Sequence, residues 1–463
     1  MITVSDSSPH SRRSFLHVGG LGLGGLTLSQ MLGWKAAAAQ AGIPVRDKSV
    51  VFLFMHGGPP QQETFDPKME APVEVRSSTG AVKTSIPGVS FGGTFQKLAK
   101  RAQRLAIVRS YTTGNGNHDI KPIVSKDSLG ANLGALYARI AGANEPASGM
   151  PRNVALFPRA VDTGAQERVK NFGNFLAHGT VGSGCAPFAP GSAKNGLQGD
   201  MTMWMSRQRL EDRMYLLNKI DGLKRILDDG AADGLGKLQQ QAVDMVLGGI
   251  SEAFDLSKED PRTIARYDTA SLIKPNSISK SWNNHKNYRD HGQTLGKLML
   301  MARRLCERGA GFVTVTTNFV WDFHSDKNNA GAAEGMDYCG IPFDHAVSAF
   351  LDDVYERGLS DQILLVCCGE MGRTPTLQKN GGRNHWGRLA PLMLAGGGLK
   401  MGQVIGESSP DAGEPSSEPV TTENLIGTIM HTLLDVGQVR LMENIPRDIH
   451  SLVTGAAPIR GLV

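Results

Sequence analysis

The stretch SVVFLFM, residues 49–55, is the strongest guide to the fold of this chain. Its apolar residues are continuous rather than alternating, which is typical of a strand buried on both faces of a parallel sheet. The segment His56-Gly57-Gly58 follows directly, so the run ends in a turn that carries an imidazole. We therefore predict an α/β fold in which this strand is buried.

Further apolar runs alternate with helical patterns along the rest of the chain. They predict strands over 105–109, 312–316, 363–368 and 391–395. Apolar residues at helical spacing predict helices over 295–305 and 343–354, and a last helix that begins at Thr421 or Thr422. Such alternation implies a largely parallel sheet with helices on both faces. Ligands of such sheets bind at the carboxyl ends of the strands.

The region from about 200 to 290 differs from its surroundings. It carries charged helical patterns over 206–228 and 233–255 and no clear strand. We interpret it as a helical insertion in a single domain that spans 42–463.

The first 41 residues have the order of an export signal. Arg12-Arg13 precede a short apolar stretch interrupted by glycines, and Lys35 with the run Ala36–Ala39 follows. Paired arginines of this kind mark the twin-arginine route, which carries folded proteins. We predict cleavage near Ala41, the export machinery as a partner, a periplasmic or extracellular location and no stable membrane span after cleavage. The alternatives are a disordered N-terminus with a chance arginine pair, or a cytoplasmic enzyme with a spurious signal.

Composition narrows the class of protein. The chain has 463 residues, a formal net charge of +5 and 40% apolar residues, as ordinary soluble proteins do. Because no basic run stands out, we expect no nucleic-acid partner.

Polar residues collect in the loops that follow the predicted strands. These loops are HGGPPQQETFDPK (56–68), SYTTGNGNHD (110–119), WDFHSD (321–326), GEMGRTP (369–375) and GRNHW (382–386). Four histidines lie in them, namely His56, His118, His324 and His385. Because these loops should meet at one edge of the sheet, we predict a shared polar site there.

Imidazole and carboxylate groups together are typical ligands of zinc, manganese or iron. Asp322 and His324 lie two residues apart, with Glu370 and His385 as further candidates, and Arg373 and Arg383 are candidates for holding an anion. The alternative for each residue is ordinary: a solvated histidine, or a turn in which Glu370 pairs with Arg373.

At these motifs the chain resembles the large bacterial family called domain of unknown function 1501, which is similar to the alkaline phosphatase superfamily. The resemblance implies an alkaline-phosphatase-like sheet and a metal site at its carboxyl edge. By order along the chain it implies an acidic ligand at Glu63 or Asp66 and a nucleophile at Thr112 or Thr113. It implies further metal ligands at Asp322, His324, Glu370 and His385.

The chain departs from that superfamily at several points. Gly369-Glu370 stands where Asp-His is usual, the spacing of Asp322 and His324 is short, and no Cys-x-Pro-x-Arg sulfatase signature is present. The leading hypothesis is a metal-dependent hydrolase of phosphate or sulfate esters, of small molecules or polysaccharides. Zinc is the first expectation, with manganese, calcium, iron or no metal at all as the alternatives. His118, Arg373 and Arg383 join the threonines as catalytic candidates. The alternative is a non-catalytic exported binding protein that keeps the fold.

Overall fold

The computed structural model describes residues 44–191, 251–443 and 445–463. The predicted signal peptide and most of the predicted helical insertion lie outside these residues. The described strands are β1 (Ser49–Phe54), β2 (Ala81–Lys83), β3 (Ser90–Gly92), β4 (Ala106–Val108), β5 (Asn153–Leu156), β6 (Phe312–Val315), β7 (Ile363–Cys368), β8 (Gly372–Arg373), β9 (His385–Trp386), β10 (Leu392–Gly396) and β11 (Gln403–Ile405). The described α-helices are α1 (Gln96–Ala99), α2 (Leu133–Ala141), α3 (Ser251–Phe254), α4 (Pro261–Tyr267), α5 (His285–Glu307), α6 (Ala332–Glu356), α7 (Thr422–Leu433), α8 (Val436–Val439) and α9 (Arg447–Gly455).

Seven of these strands form the central sheet, in the order β11-β4-β10-β7-β1-β6-β5. All its pairings are parallel except those of β10, which is antiparallel to both β4 and β7. The reason lies in the connection, because the described chain between β7 and β10 contains no crossover helix. The chain therefore turns back after β7, where a parallel neighbour would need a longer crossover.

The two faces of the sheet carry separate apolar cores. Successive side chains of β1 alternate between them, so Val51 and Leu53 join one core while Val50 and Phe52 join the other. Helices α5 and α6 cover the first face, and α2 and α7 cover the second. This arrangement confirms the prediction of a largely parallel α/β sheet with helices on both faces.

The sheet has one edge at which the functional loops emerge. Strands β4, β7, β1 and β6 run in the same direction, so their carboxyl ends lie together. Because β10 runs the opposite way, its beginning lies at that edge, beside Val108 of β4 and Cys368 of β7. The segment that leads into β10 is therefore brought to the same place as the loops that follow the parallel strands.

The part of the predicted insertion that the structure describes, 251–290, contains the short helices α3 and α4, the beginning of α5 and no strand. Among the described residues, none of the helices has the length and apolar character needed to span a membrane.

Candidate metal centre

Four polar side chains meet at the carboxyl edge of the sheet: His118, Asp322, His324 and His385. One ligand atom from each lies within 4.8 Å of all the others. His118 belongs to the loop after β4, Asp322 and His324 follow β6, and His385 lies in β9 on the way to β10. We call these four residues the His/Asp cluster.

The carboxylate of Asp322 lies at the middle of the His/Asp cluster. Its Oδ1 atom is 3.0 Å from Nε2 of His324, 3.4 Å from Nε2 of His118 and 3.5 Å from Nε2 of His385. The Nε2 atoms of His324 and His385 are themselves 2.8 Å apart. Three imidazole nitrogens therefore converge on one carboxylate oxygen.

The donor set fits a single divalent cation. Without a cation, the contact between the Nε2 atoms of His324 and His385 needs one ring to donate its proton to the other. A cation shared by three nitrogen lone pairs and one carboxylate satisfies all four groups, and three histidines with one acid are usual ligands of zinc. The tetrahedral shell of zinc places neighbouring ligand atoms roughly 3.3 Å apart, close to the spacings in the cluster.

Glu370 lies behind His118 rather than inside the cluster. Its Oε1 atom is 2.9 Å from Nδ1 of His118. The backbone N–H of Gly57 donates to both oxygens of the same carboxylate, at 2.9 and 3.1 Å. Because a carboxylate accepts the proton on Nδ1, the lone pair of His118 is left on Nε2 and faces the cluster. Glu370 therefore orients a candidate ligand and lies outside the cluster, whereas the sequence predicted that it would be a ligand itself.

Asp322 is held in the charged state that metal binding needs. Burial opposes its ionisation, but the guanidinium of Arg373 and the neighbouring imidazoles of His118, His324 and His385 outweigh this and hold the pKa of the carboxyl well below its usual range. The other oxygen, Oδ2, accepts a hydrogen bond of 2.9 Å from Asn329. The orientation of Asp322 is therefore fixed by the protein.

Gly57 allows the loop after β1 to reach this site. Its φ angle is +118°, and a Cβ atom there would lie 2.6 Å from the backbone nitrogen of Asp322. Both facts require glycine, because other residues would be strained and would push the loop away from Asp322.

The sequence matches the family described as protein of unknown function (DUF1501) over residues 47–460. The chain belongs to the DUF1501 family. This confirms the resemblance that the motifs indicated. No curated protein matches the sequence.

Solved structures similar to this DUF1501 chain include three hydrolases. A sulfatase from Pseudoalteromonas sp. is 10% identical, with a TM-score of 0.36 over 93% of this chain and 77% of the other. A phosphonate monoester hydrolase from Agrobacterium radiobacter is 11% identical, with a TM-score of 0.28 over 84% and 74% of the two chains. The enzyme of the same name from Silicibacter pomeroyi is 12% identical, with a TM-score of 0.26 over 89% and 78%. These overlaps are too loose to assign a function.

Two predicted ligands of the DUF1501 chain, Glu63 and Asp66, lie outside the His/Asp cluster. The carboxylate of Glu63 accepts hydrogen bonds from Ser77, Ser78 and Thr79 and is 3.3 Å from Nη2 of Arg383. Asp66 accepts a hydrogen bond from Ser408 and lies near Lys68 and Arg109. Both carboxylates are thus engaged in holding loops together.

The two predicted anion-binding arginines are fully buried and are engaged by the protein itself. Arg373 donates to the carbonyl oxygens of Gly57, Gly58 and Arg383 and to Asp322, and its Nη1 atom lies 3.2 Å from Nε2 of His324. Arg383 donates to the carbonyl oxygens of Thr374, Pro375, Val75 and Arg76 and to Glu63. With these contacts in place, neither guanidinium presents a bidentate pair of N–H groups to an anion. The structure therefore differs from the prediction that these arginines hold an anion.

The two predicted nucleophiles lie against the segment that follows His385. The hydroxyl of Thr112 donates to the carbonyl of Gly387, at 3.1 Å. The backbone N–H of Thr113 donates to the same carbonyl at 3.2 Å. The hydroxyl of Thr113 is buried and has no hydrogen-bond partner among the described residues. Of the two threonines, Thr113 is therefore the one whose hydroxyl is not already hydrogen-bonded among the described residues.

An aromatic wall beside the cluster was not predicted from the sequence. Phe172 and Phe319 stack with ring centroids 4.5 Å apart, and the His118 ring contacts both. His56 packs against the same two rings, is fully buried and has no partner for either ring nitrogen among the described residues. Burial lowers the pKa of His56 to about 4, which keeps its ring neutral. The role of Phe172 could not be predicted, because the residue lies in a stretch of sequence without strand or helix periodicity.

Proposed function

We propose that this protein is a metal-dependent hydrolase of phosphate or sulfate esters, exported by the twin-arginine route, with one zinc ion held by the His/Asp cluster. The observation that supports it best is the convergence of three Nε2 atoms on Asp322 Oδ1, with ligand atoms within 4.8 Å of one another. The orientation of His118 by Glu370 is independent support, because a hydrogen bond from a carboxylate to the far nitrogen is usual for histidine ligands of metals.

A bound zinc ion supplies a Lewis acid and lowers the pKa of an attacking water or hydroxyl group. The side chains of the chain itself prepare the site. Asp322 contributes a negative charge that offsets the cation, and Glu370 keeps the proton of His118 on Nδ1. Phe172 and Phe319 cover one side of His118 with apolar surface, which strengthens electrostatic interactions beside it. The unpartnered hydroxyl makes Thr113 our preferred protein nucleophile.

Elemental analysis of the purified full chain tests the metal. We expect about one zinc ion per chain in the wild type after incubation with zinc, and almost none in His324→Ala or Asp322→Asn. His178→Ala is the matched control, because His178 is exposed on a loop outside the cluster. A wild type that binds no metal, or cluster variants that keep it, would refute the site.

Turnover of phosphate and sulfate esters is a separate measurement. We expect a wild-type rate that disappears on chelation, returns with zinc and is lost in His324→Ala. Thr113→Val reports on the nucleophile: loss of turnover with full metal content supports the hydroxyl, and unchanged turnover excludes it.

The engagement of both arginines favours a second candidate, the non-catalytic binding protein. Arg373 and Arg383 donate mostly to backbone carbonyls, so the usual means of holding a tetrahedral anion is committed elsewhere. A protein with zinc bound and no turnover of either ester class would support this candidate.

A further inference from the structure

A groove of about 940 Å³ lies beside the His/Asp cluster. It is lined by the segment between β8 and β9 and by the loop around Gly413, with Trp386 among its lining residues. Small-molecule sites in proteins occupy roughly 300–1,000 Å³, so this groove is at the upper end of that range. It therefore suits an extended ligand better than a single small anion.

The groove adjoins the cluster through three of its lining residues. Trp386 follows the ligand His385, and Thr374 follows Arg373, the residue that pairs with His385 in the β8–β9 ladder. Asn380 donates from Nδ2 to the backbone carbonyl of His324, at 3.1 Å. A molecule bound in the groove thus contacts Trp386 and Asn380, which are joined directly to His385 and His324 of the cluster.

The most exposed member of the cluster lies next to the groove. The side chain of His385 is 35% exposed, against 21% for His324, 13% for His118 and 7% for Asp322. The most exposed side chain of the cluster therefore belongs to the residue that precedes Trp386 of the groove lining.

Trp386 has a fixed orientation in this groove. Its indole N–H donates to the carbonyl of Gly413, and the guanidinium of Arg388 lies 5.6 Å from the ring centroid. With its N–H already bonded, the indole offers a ligand its apolar ring surface. Such a surface suits the CH groups of a sugar ring, whose hydroxyls then face polar side chains.

The charged residues that line the groove indicate which class of molecule it can bind. The groove has two cationic residues, Lys379 and Arg388, and two acidic ones, Asp411 and Glu414. This balance does not suit a polyanion, which needs an excess of cations. The amide of Gln378 and the charged groups do not suit a lipid chain, because polar groups lose their water when covered by apolar surface. Paired donors and acceptors around one aromatic ring match a neutral sugar chain rich in hydroxyls.

We propose that this groove binds the carbohydrate portion of the substrate. The inference that the ester bond of that carbohydrate lies at the cluster rests on the proposed hydrolase function. The binding of sugar in the groove is independent of that function, because Trp386 and its neighbours need no metal to bind a sugar.

Binding of neutral oligosaccharides to the full chain tests the proposal. Suitable probes are hexasaccharides of cellulose, xylan, mannan and starch, measured by calorimetry. We expect at least one to bind, and Trp386→Ala to weaken its affinity about tenfold or more. Trp386→Phe, which keeps an aromatic surface, should retain most of the affinity. Trp282→Ala is the matched control, because Trp282 is also half-buried but lies outside the groove lining.

The proposal is overturned if no probe binds at millimolar concentration, or if a folded Trp386→Ala protein binds as tightly as the wild type. A thermal melting curve establishes that the variant is folded. Repeating the measurement with His324→Ala separates the two proposals. Sugar binding that persists in His324→Ala supports a groove that acts without the metal. A wild type that binds sugar through Trp386 and holds no metal supports the groove and refutes the hydrolase. Metal and ester turnover without sugar binding refute the groove alone.

Discussion

Two fully buried glutamates differ in what their carboxylates hold. Glu370 contacts the imidazole of His118, whereas Glu63 contacts three hydroxyl groups and Arg383. We expect Glu370→Gln to weaken zinc affinity about 10- to 100-fold, because His118 loses the carboxylate that fixes its tautomer. Competition with a chelator of known affinity measures the effect.

Glu63→Gln is the control for that measurement. It replaces an equally buried carboxylate that lies outside the cluster, so it should lower the free energy of unfolding and leave zinc affinity unchanged. Equal losses of zinc affinity in the two variants would show that general destabilisation, and not the contact with His118, is responsible.

His291 gives stability a dependence on pH. Its Nε2 atom is 3.1 Å from the carbonyl of Cys339 and its Nδ1 atom 2.6 Å from the hydroxyl of Thr317, as in a neutral ring. Burial lowers its pKa from 6.5 to about 4. Between these values the unfolded chain binds more protons, so stability present above pH 6.5 is lost as the pH falls towards 4.

Urea unfolding at a series of pH values measures this loss, which amounts to about 3 kcal/mol for the whole interval. His291→Gln should make the dependence on pH shallower without abolishing it, because the pKa of buried His56 is also lowered to about 4. The exposed His178→Gln should leave the slope as in the wild type. An unchanged slope in His291→Gln would contradict the assignment.

The sequence identified most residues of the site, and it gave Asp322, His324 and His385 the role of metal ligands but His118 and Glu370 different roles from those that the geometry favours. His118, His324, His385 and Asp322 were identified because each lies in a loop after or between predicted strands. The position of Glu370 behind His118 depends on how close the loops after β1, β4 and β7 come, which periodicity does not encode. The same holds for Glu63, whose loop returns to Arg383 instead of to the cluster.

At the scale of elements, one buried arginine joins three parts of the helical layer. Arg303 of α5 lies 2.8 Å from Glu259, which precedes α4, 2.6 Å from Glu307 and 2.8 Å from Asp353 of α6. Replacing it by methionine removes the fully buried cation of this network, and only the more exposed Arg304 and Arg357 remain beside these carboxylates. We expect Arg303→Met to lower the free energy of unfolding by about 3–5 kcal/mol, measured by urea denaturation.

Arg266→Met is the control for that prediction. Arg266 forms an exposed ion pair of 2.6 Å with Glu356, and such pairs contribute at most about 1 kcal/mol. Both variants should keep full zinc content, since neither residue contacts the cluster. A loss in Arg303→Met no larger than that in Arg266→Met would contradict the role of the buried network.

The elements themselves followed from apolar patterns where the runs were long. The predicted strand 363–368 and the helix cap at Thr421 agree with the structure, and the strand 391–395 is displaced by one residue. Strands β5 and β11 were not predicted, because each begins with a polar residue, Asn153 or Gln403, which shortens its apolar run. The reversed direction of β10 depends on the missing crossover helix, which a pattern of apolar residues does not show directly.

At the scale of the whole molecule, the export prediction concerns residues outside the described part of the chain. We expect replacement of both Arg12 and Arg13 by lysine to retain the precursor in the cytoplasm, because the twin-arginine route reads the arginine pair and not its charge. Cell fractionation with immunoblotting measures the ratio of precursor to cleaved protein. Arg46→Lys, beyond the predicted cleavage position, should be exported normally. If the double variant were cleaved and found outside the cytoplasm, this route would be excluded.

The position of β10 has a consequence for the order of events during synthesis. It lies between β4 and β7, so without it the sheet separates into β11-β4 on one side and β7-β1-β6-β5 on the other. His118 follows a strand of the first part, whereas Asp322 and His324 follow a strand of the second. The ribosome must therefore have translated past residue 396 before the two halves of the cluster are joined. A nascent chain stopped just before β10 contains all four residues of the cluster but lacks the strand that joins the two parts of the sheet.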